Sequence, residues 1–151
     1  MSRIIISLCG RKRTGKESAF KLIVSYVARP QEFQFATPLK KFCMEVFGLT
    51  YEQCYGDSKS RESLTKYQWK GVKEEIRLRY GKNPEDFLTA RDVLQVIGTD
   101  VVRESFYKDT WAEAGIRAAL NANAQTCIYT DTRFHNEIEA SRYLSQNDFQ
   151  E

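Results

Sequence analysis

The sequence is poor in the residues that bind metals or cross-link chains. It has one histidine, His135, and four cysteines, Cys9, Cys43, Cys54 and Cys127, with no C-x-x-C pair and no histidine at zinc-ligand spacing. A zinc site and a disulfide framework are excluded on that pattern, so the cysteines are expected as reduced, mostly buried thiols. No apolar run approaches the ~20 residues that cross a bilayer as a helix. The first strand starts within three residues of Met1, with no charged leader and cleavable apolar segment before it. A cytoplasmic protein with no membrane partner is expected. There is no long basic tract either: the net charge of +3 is spread along the chain, which argues against wrapping nucleic acid and suits small anionic ligands. Repeats and low-complexity segments are absent, and 151 residues fit one domain, 1–151.

What the chain does have is a strand, a glycine loop and a helix in that order. The apolar run Ile4-Ile5-Ile6-Ser7-Leu8 leads into Gly10-Arg11-Lys12-Arg13-Thr14-Gly15-Lys16, and Ala19, Phe20, Ile23, Val24 and Val27 follow at helical spacing. Gly10 and Gly15 reach positive φ without steric cost, so the backbone N–H groups between them can turn inward around phosphate oxygens. Lys16 then stands at a helix N-terminus, where the dipole already favours an anion. A polar strand-to-helix turn would not explain three basic residues crowded into positions 11–13. Such a loop commonly carries a hydroxyl after its lysine to ligate Mg²⁺. Here Glu17 takes that place and Ser18 follows. A carboxylate about 5 Å from a phosphate is repelled by roughly 3 kcal/mol at an effective dielectric near 20. Glu17 therefore either points to solvent as a first-turn acid or stands as an outer-shell partner of an intervening Mg²⁺.

Further along, the helix after the loop is expected to fade before Arg29-Pro30. Phe33-Gln34-Phe35-Ala36 is a candidate second strand, with Thr37 as cap and Pro38 as first residue of a helix whose stripe is Leu39, Phe42, Cys43, Val46 and Phe47, ending at Gly48. From Thr50 to Pro84 the pattern loosens around Tyr67, Trp69 and Tyr80, and it reads as an insertion over the site, at about 50–90, free to move without ligand. Helical spacing returns at Arg91, Val93, Leu94 and Ile97, passes a Gly98-Thr99-Asp100 turn and resumes through Val101, Val102 and Phe106. Another helix starts near Asp109 with Trp111, Ala114, Ala118 and Leu120, and Thr126–Thr130 is a third strand ending in Asp131. Alternating strands and helices imply an α/β fold with right-handed parallel crossovers and a ligand beyond the carboxyl ends of the strands. Asp131 there either orients a metal or substrate or caps the next helix. Arg133 is either a phosphate fork or a surface ion pair, and Trp111 is either a base contact or core. His135, with no partner in view, reads as a loop residue before a catalyst.

These pieces together resemble the deoxynucleoside monophosphate kinases of tailed bacteriophages, a branch of the P-loop kinases. The likeness rests on the segment from Gly10 to Ser18, where that family also tends to place an acid after the lysine; on Leu94-Gln95-Val96-Ile97-Gly98-Thr99-Asp100 with Arg103 and Trp111; and on Asp131-Thr132-Arg133-Phe134-His135-Asn136-Glu137, an Asp-x-Arg-x-x-x-Glu block. Ala36-Thr37-Pro38-Leu39-Lys40 is a weaker fourth similarity.

The resemblance implies a P-loop kinase-like three-layer fold, a short parallel sheet with helices on both faces, and the transfer of the γ-phosphoryl group of ATP to a deoxynucleoside 5′-monophosphate. It places Gly10, Lys12, Arg13, Thr14, Gly15, Lys16, Glu17 and Ser18 around ATP and Mg²⁺, with Asp131 as another acid near the metal. Gly98, Thr99, Asp100, Arg103, Trp111, Asp131, Arg133 and Glu137 fall to the acceptor, with the insertion at about 50–90 as an acceptor-binding or lid segment, and Lys16, Arg91 and Arg133 fall to the transferring phosphoryl group. Family chains continue with further strands and a segment over the adenine, beyond what is matched here up to Asp148-Phe149-Gln150-Glu151. The sheet is therefore expected to have exposed edges, which favours a homodimer. Two other readings remain open on the sequence: a nucleotide-binding module without catalysis, and a P-loop kinase for another small phosphorylated metabolite.

Overall fold

The computed structural model describes residues 3–10 and 14–147, the side chains of 144–147 excepted. It divides into two compact units, one made of residues 1–38 and 109–151, the other of residues 39–108. The segment expected as an insertion at about 50–90 falls inside the second.

The first unit is α/β, as the strand and helix alternation implied. Three parallel strands, β1 (Ile4–Cys9), β2 (Pro30–Phe33) and β5 (Thr126–Thr132), lie in the order β1-β5-β2. The central strand reads Thr-Cys-Ile-Tyr-Thr-Asp-Thr, rich in β-branched and aromatic residues, and is almost wholly buried, as a strand covered on both faces must be. Its register with both neighbours starts from the same residue, Thr126 standing opposite Ile4 and Pro30. Helices flank the sheet: α1 (Lys16–Val24) packs on β1 and β5, α7 (Thr110–Leu120) on β2, and α8 (His135–Asn147) on β1 and α7. This is the layered arrangement of a P-loop kinase-like fold.

Several boundaries differ from the sequence reading. The second strand is Pro30–Phe33 and not Phe33–Ala36, because the N–H groups of Phe35 and Ala36 turn to the Asp131 carboxylate at 2.8 and 3.0 Å and leave the ladder. Helix α1 stops at Val24, where Ser25 folds its N–H and its hydroxyl back onto the Leu22 carbonyl. The stripe expected on α7 is out of phase. Ala112, Gly115, Ile116 and Ala119 are buried, whereas Leu120 is exposed. Small residues make that face because the Phe35 ring, stacked on Tyr129 with centroids 4.4 Å apart, lies against it. The Tyr129 hydroxyl donates to the Gly115 carbonyl at 3.2 Å, and burial pushes its pKa upward.

The second unit is more regular than its sequence suggested. Helix α2 (Thr37–Phe47) enters it and ends where Gly48 takes φ 68°, and only Cys43 of the expected stripe is buried, with Phe42 and Val46 exposed. Short elements follow: α3 (Tyr51–Tyr55), α4 (Ser58–Arg61), an antiparallel pair β3 (Leu64–Gln68) and β4 (Phe87–Thr89), and α5 (Glu74–Arg79). The starts of α3, α4 and α6 (Ala90–Gln95) are tied by side chains. Thr50 and Gln53 form a capping box on α3, Asp57 accepts from the Ser60 N–H on α4, and Thr89 with Asp92 caps α6. Gly98-Thr99-Asp100 is not a turn. Helix α6 runs straight into a wide π-helical segment, Val96–Glu104, where Gly98 is buried under Leu39. Trp69, Cys43, Cys54, Leu88 and Val93 form the core of this unit.

All four cysteines are free, and Cys43, Cys54 and Cys127 are buried as expected. Cys9 is exposed. Burial raises the pKa of Cys54 and pushes that of Cys43 up to about 12. An unfolded thiol ionises near 8.5, so Cys43 adds stability that is whole below that pH and fades as pH rises toward about 12. Melting temperature should accordingly fall through this window, and less steeply in Cys43→Ala. A thiol reagent should label Cys9 rapidly in the native protein and all four cysteines after denaturation.

Gly115 supplies a sharper check on the core. A Cβ there would lie 2.7 Å from a ring carbon of buried Phe35, so Gly115→Ala should lower stability by about 1–3 kcal/mol in a denaturant titration. In an open helix the same change would stabilise by up to about 1 kcal/mol.

Candidate functional site

At the carboxyl end of β1 the chain leaves the sheet through Gly10, at φ 153°, and enters α1 through Gly15, at φ 83°, both conformations that suit glycine. Between and around them lies an open cavity of about 400 Å³ lined by Cys9, Gly10, Thr14, Gly15, Lys16 and Ala19 among others. The Lys16 ammonium donates to the Gly10 carbonyl at 2.6 Å, spanning the loop from one glycine to the helix start. Gly15 is also the N-cap of α1, so the first turn of that helix opens toward the cavity. Gly10, Gly15, Lys16 and the start of α1 thus meet at this cavity. Lys12 and Arg13, also expected there, lie outside the described residues.

The two residues after the lysine are exposed. Glu17 pairs with Lys21 at 2.9 Å, one turn on, and that hydrogen bond, followed by the charge of Lys21, lowers its pKa. Both side chains are in solvent, so the pair adds little to stability. Its geometry is that of the first-turn acid. Ser18 stands beside it on the exposed side of α1.

The Asp-x-Arg-x-x-x-Glu block lies at the end of β5, and its two acids hold backbone. Both Asp131 oxygens accept from the Phe35 and Ala36 N–H groups just ahead of α2, while buried Glu137 accepts from the N–H groups of Arg133 and Phe134 at 2.7 and 3.0 Å. Glu137 is in the first turn of α8 and thereby closes that helix start. Arg133 is left exposed, with no ion pair to its guanidinium among the described residues. Two residues of β5, Thr130 and Asp131, oppose one of β1, Leu8, between the Tyr129–Ser7 and Thr132–Cys9 pairs, a bulge that bends the strand end beside the cavity. His135 pairs with Glu139 at 3.1 Å on the surface of α8, and Trp111 is half-buried near the start of α7.

The remaining candidates belong to the second unit. Arg91 pairs with Glu62 at 2.9 Å, both half exposed. Thr99 is exposed and Arg103 half-buried on the π-helical segment. Asp100 is buried and fully engaged. It accepts from the Tyr80 hydroxyl and from Arg79, each at 2.7 Å, and Arg79 also reaches Glu104 at 2.8 Å. Burial first, then the Asp100 contact, raises the pKa of Tyr80. Gly98 is filled from above by Leu39, so its lack of a side chain serves packing.

Sequence reasoning missed a second cavity, of about 320 Å³, in this unit. Its walls are mainly aliphatic and come from several elements, so no local pattern marks it. The cluster of Tyr67, Trp69 and Tyr80 in a charged stretch is the one signal that pointed to the region.

No protein-family model matches the chain. Two viral proteins do. One, from Acanthamoeba polyphaga mimivirus and named provisionally as a deoxynucleotide monophosphate kinase, is 28% identical over 152 residues, which cover 93% of this chain and 69% of the relative. The other, a deoxynucleoside-5′-monophosphate kinase of Escherichia phage T5, is 21% identical over 187 residues, covering 96% of this chain and 74% of the relative. The fold and the glycine loop define the class, an α/β protein of P-loop kinase type. Within that class, the chain is related in sequence to the viral deoxynucleotide monophosphate kinases, as the motif blocks indicated.

Among the described residues no group of three or more His, Cys, Asp or Glu side chains could hold a metal ion. No described helix is long and apolar enough to cross a membrane. If the Lys16–Gly10 contact closes the empty loop, an anion must compete for the ammonium. Phosphate or pyrophosphate should then shift the Lys16 side-chain resonance and slow alkylation of Cys9, which lines the same cavity; unchanged Cys9 labelling at saturating pyrophosphate would place the anion elsewhere.

Proposed function

We propose that this chain transfers the γ-phosphoryl group of ATP to a deoxynucleoside 5′-monophosphate, giving the diphosphate and ADP. The observation that carries the reading is the cradle at the end of β1, with Gly10 and Gly15 at positive φ and Lys16 reaching across it. The names of the two viral relatives supply the acceptor class.

Phosphoryl transfer asks a protein chiefly to position two phosphates and neutralise charge. Lys16 and the loop N–H groups would hold the donor's phosphates, with Lys12 and Arg13 adding charge. Arg133 would take the acceptor phosphate in a bidentate fork, and Arg91 would leave Glu62 to join the transferring group. Thr99, Arg103 and Trp111 are proposed on the acceptor side, with Gly98 and Asp100 shaping the helix beneath. Glu137 acts in this scheme by fixing the backbone around Arg133, and Asp131 by fixing the segment before α2.

Mg²⁺ would neutralise the donor's β and γ oxygens. The residues present suit an ion that keeps its waters and takes one or two carboxylates, as Mg²⁺ does, and not an all-protein cage. Glu17, after release from Lys21, and Asp131 are the acids proposed near it.

A coupled assay with ATP, Mg²⁺ and each of the four deoxynucleoside monophosphates should give acceptor-dependent ADP release. Silence with every acceptor from folded protein would defeat the proposal. Lys16→Ala should cut kcat by about 100- to 1000-fold, the scale of losing one donor to developing charge, while leaving the melting temperature nearly unchanged. Arg133→Lys keeps the charge but loses the fork, so it should raise KM for the acceptor more than KM for ATP.

A further inference from the structure

Thr132, the last residue of β5, has none of the roles assigned above. Its side chain is buried, 1% exposed, and its hydroxyl has no hydrogen-bond partner among the described residues. β5 holds two other threonines, and both are engaged: Thr126 donates to the Ala28 carbonyl at 3.0 Å and Thr130 to the Glu32 carboxylate at 2.6 Å. A buried hydroxyl without an acceptor carries the full cost of its desolvation. Valine would fill the same space in a strand without that cost, so packing does not account for a hydroxyl here.

The position of Thr132 narrows where an acceptor can come from. The carboxylates nearest in sequence are taken, Asp131 by the N–H groups of Phe35 and Ala36, Glu137 by those of Arg133 and Phe134. Across the ladder Thr132 pairs with Cys9, so it lies against the end of β1. Cys9 and Gly10 line the cavity at the glycine loop; Thr132 does not, and stands one strand behind that wall. The bulge just before this pair is the kind of irregularity that re-aims a side chain next to a site. The Gly10 carbonyl is meanwhile held by the Lys16 ammonium at 2.6 Å, a contact that an anion in the cavity must compete for.

On the reading of the glycine loop as a phosphate cradle, we infer that Thr132 is a positioning residue of that cradle: its hydroxyl is unbonded in the free protein and donates to the Cys9–Gly10 backbone once a bound phosphate draws Lys16 from the Gly10 carbonyl. Binding then recovers the desolvation cost that the free protein carries. The phosphate site is tightened by a residue that the phosphate does not touch.

Thr132→Val removes the hydroxyl and keeps the shape, and Thr132→Ser keeps the hydroxyl and loses a methyl group. Thr132→Ala is a second hydroxyl-free variant should the valine protein fail to fold. Each is made in the full chain and compared with wild type by melting of the free protein and by calorimetry with pyrophosphate and with ATP. Thr132→Val should melt about 2–4 °C higher than wild type and bind pyrophosphate about three- to tenfold more weakly, while Thr132→Ser keeps the wild-type Kd. A residue with a merely structural role would not raise stability and weaken binding together. Unchanged pyrophosphate affinity in a folded hydroxyl-free variant would overturn the inference and leave the cradle standing. A lower melting temperature for Thr132→Val would also overturn it, because the hydroxyl would then be bonded in the free protein. A wild type that binds neither ligand would overturn the cradle and the inference together. Weaker binding by Thr132→Val, in a protein whose wild type transfers no phosphoryl group, would sink the kinase reading and uphold the inference.

Discussion

Strand β5 carries the first unit. The outer strands β1 and β2 do not touch each other, and each is held only through β5, from a common starting level at Thr126. Parallel pairing at matched register has a geometric consequence: all three strands finish at one edge of the sheet. The glycine loop leaves from one of them, Asp131 stands at the end of another, and the chain after the third turns back to meet it. Helix α1 therefore begins at this edge because the strand order leaves it no other start. A sheet with β5 displaced by one residue would send its Tyr129 ring away from Phe35 and turn buried side chains toward solvent.

The charges at this edge divide by role. Two carboxylates, Asp131 and Glu137, are each satisfied by two backbone N–H groups, and Glu17 is paired with Lys21. The Arg133 guanidinium has no carboxylate partner among the described residues, and the Lys16 ammonium donates to the Gly10 carbonyl. A carboxylate that already accepts strong hydrogen bonds needs no cation to balance it, so acids can stand beside a phosphate cradle without consuming its positive charge. The same hydrogen bonds make the acids rigid struts, one fixing the segment before α2 and the other the segment that presents Arg133.

The glycine loop, the buried central strand and the start of α7 were legible in the sequence because each is decided locally. Two glycines at positive φ, a run of β-branched residues and an Asp-Thr helix start announce themselves within a few residues. The end of β2 was not legible. Phe33 and Phe35 alternate like strand residues, and only Asp131, far along the chain, decides that Phe35 leaves the ladder. Cap residues of the second unit can be found in the sequence, but elements of three to six residues give too little periodicity to phase a buried face. Gly98 misled for a related reason. A glycine between two helical stretches reads as a break, and here it is a helical residue that lets Leu39 approach. That Asp131 and Glu137 hold backbone was not legible either, since the N–H groups that engage them cannot be seen from spacing alone.

The π-helical segment contributes both to the cavity wall and to the polar contacts of Asp100. A wider turn than that of an α-helix places side chains five residues apart on nearly one line, and Val96 and Val101 indeed both face the cavity, with Ile97 and Ser105 flanking them. Asp100, one residue earlier than Val101, is turned toward Tyr80 and Arg79, which hold it. The distorted backbone is not left open, since the Ser105 hydroxyl donates to the Asp100 carbonyl at 2.6 Å. An ordinary α-helix would rotate Val101 relative to Val96 by well over a hundred degrees in five residues beyond a full turn; the cavity wall and the buried acid could not then both be kept. The wide helix is therefore the segment that both holds a buried acid and lines an apolar cavity.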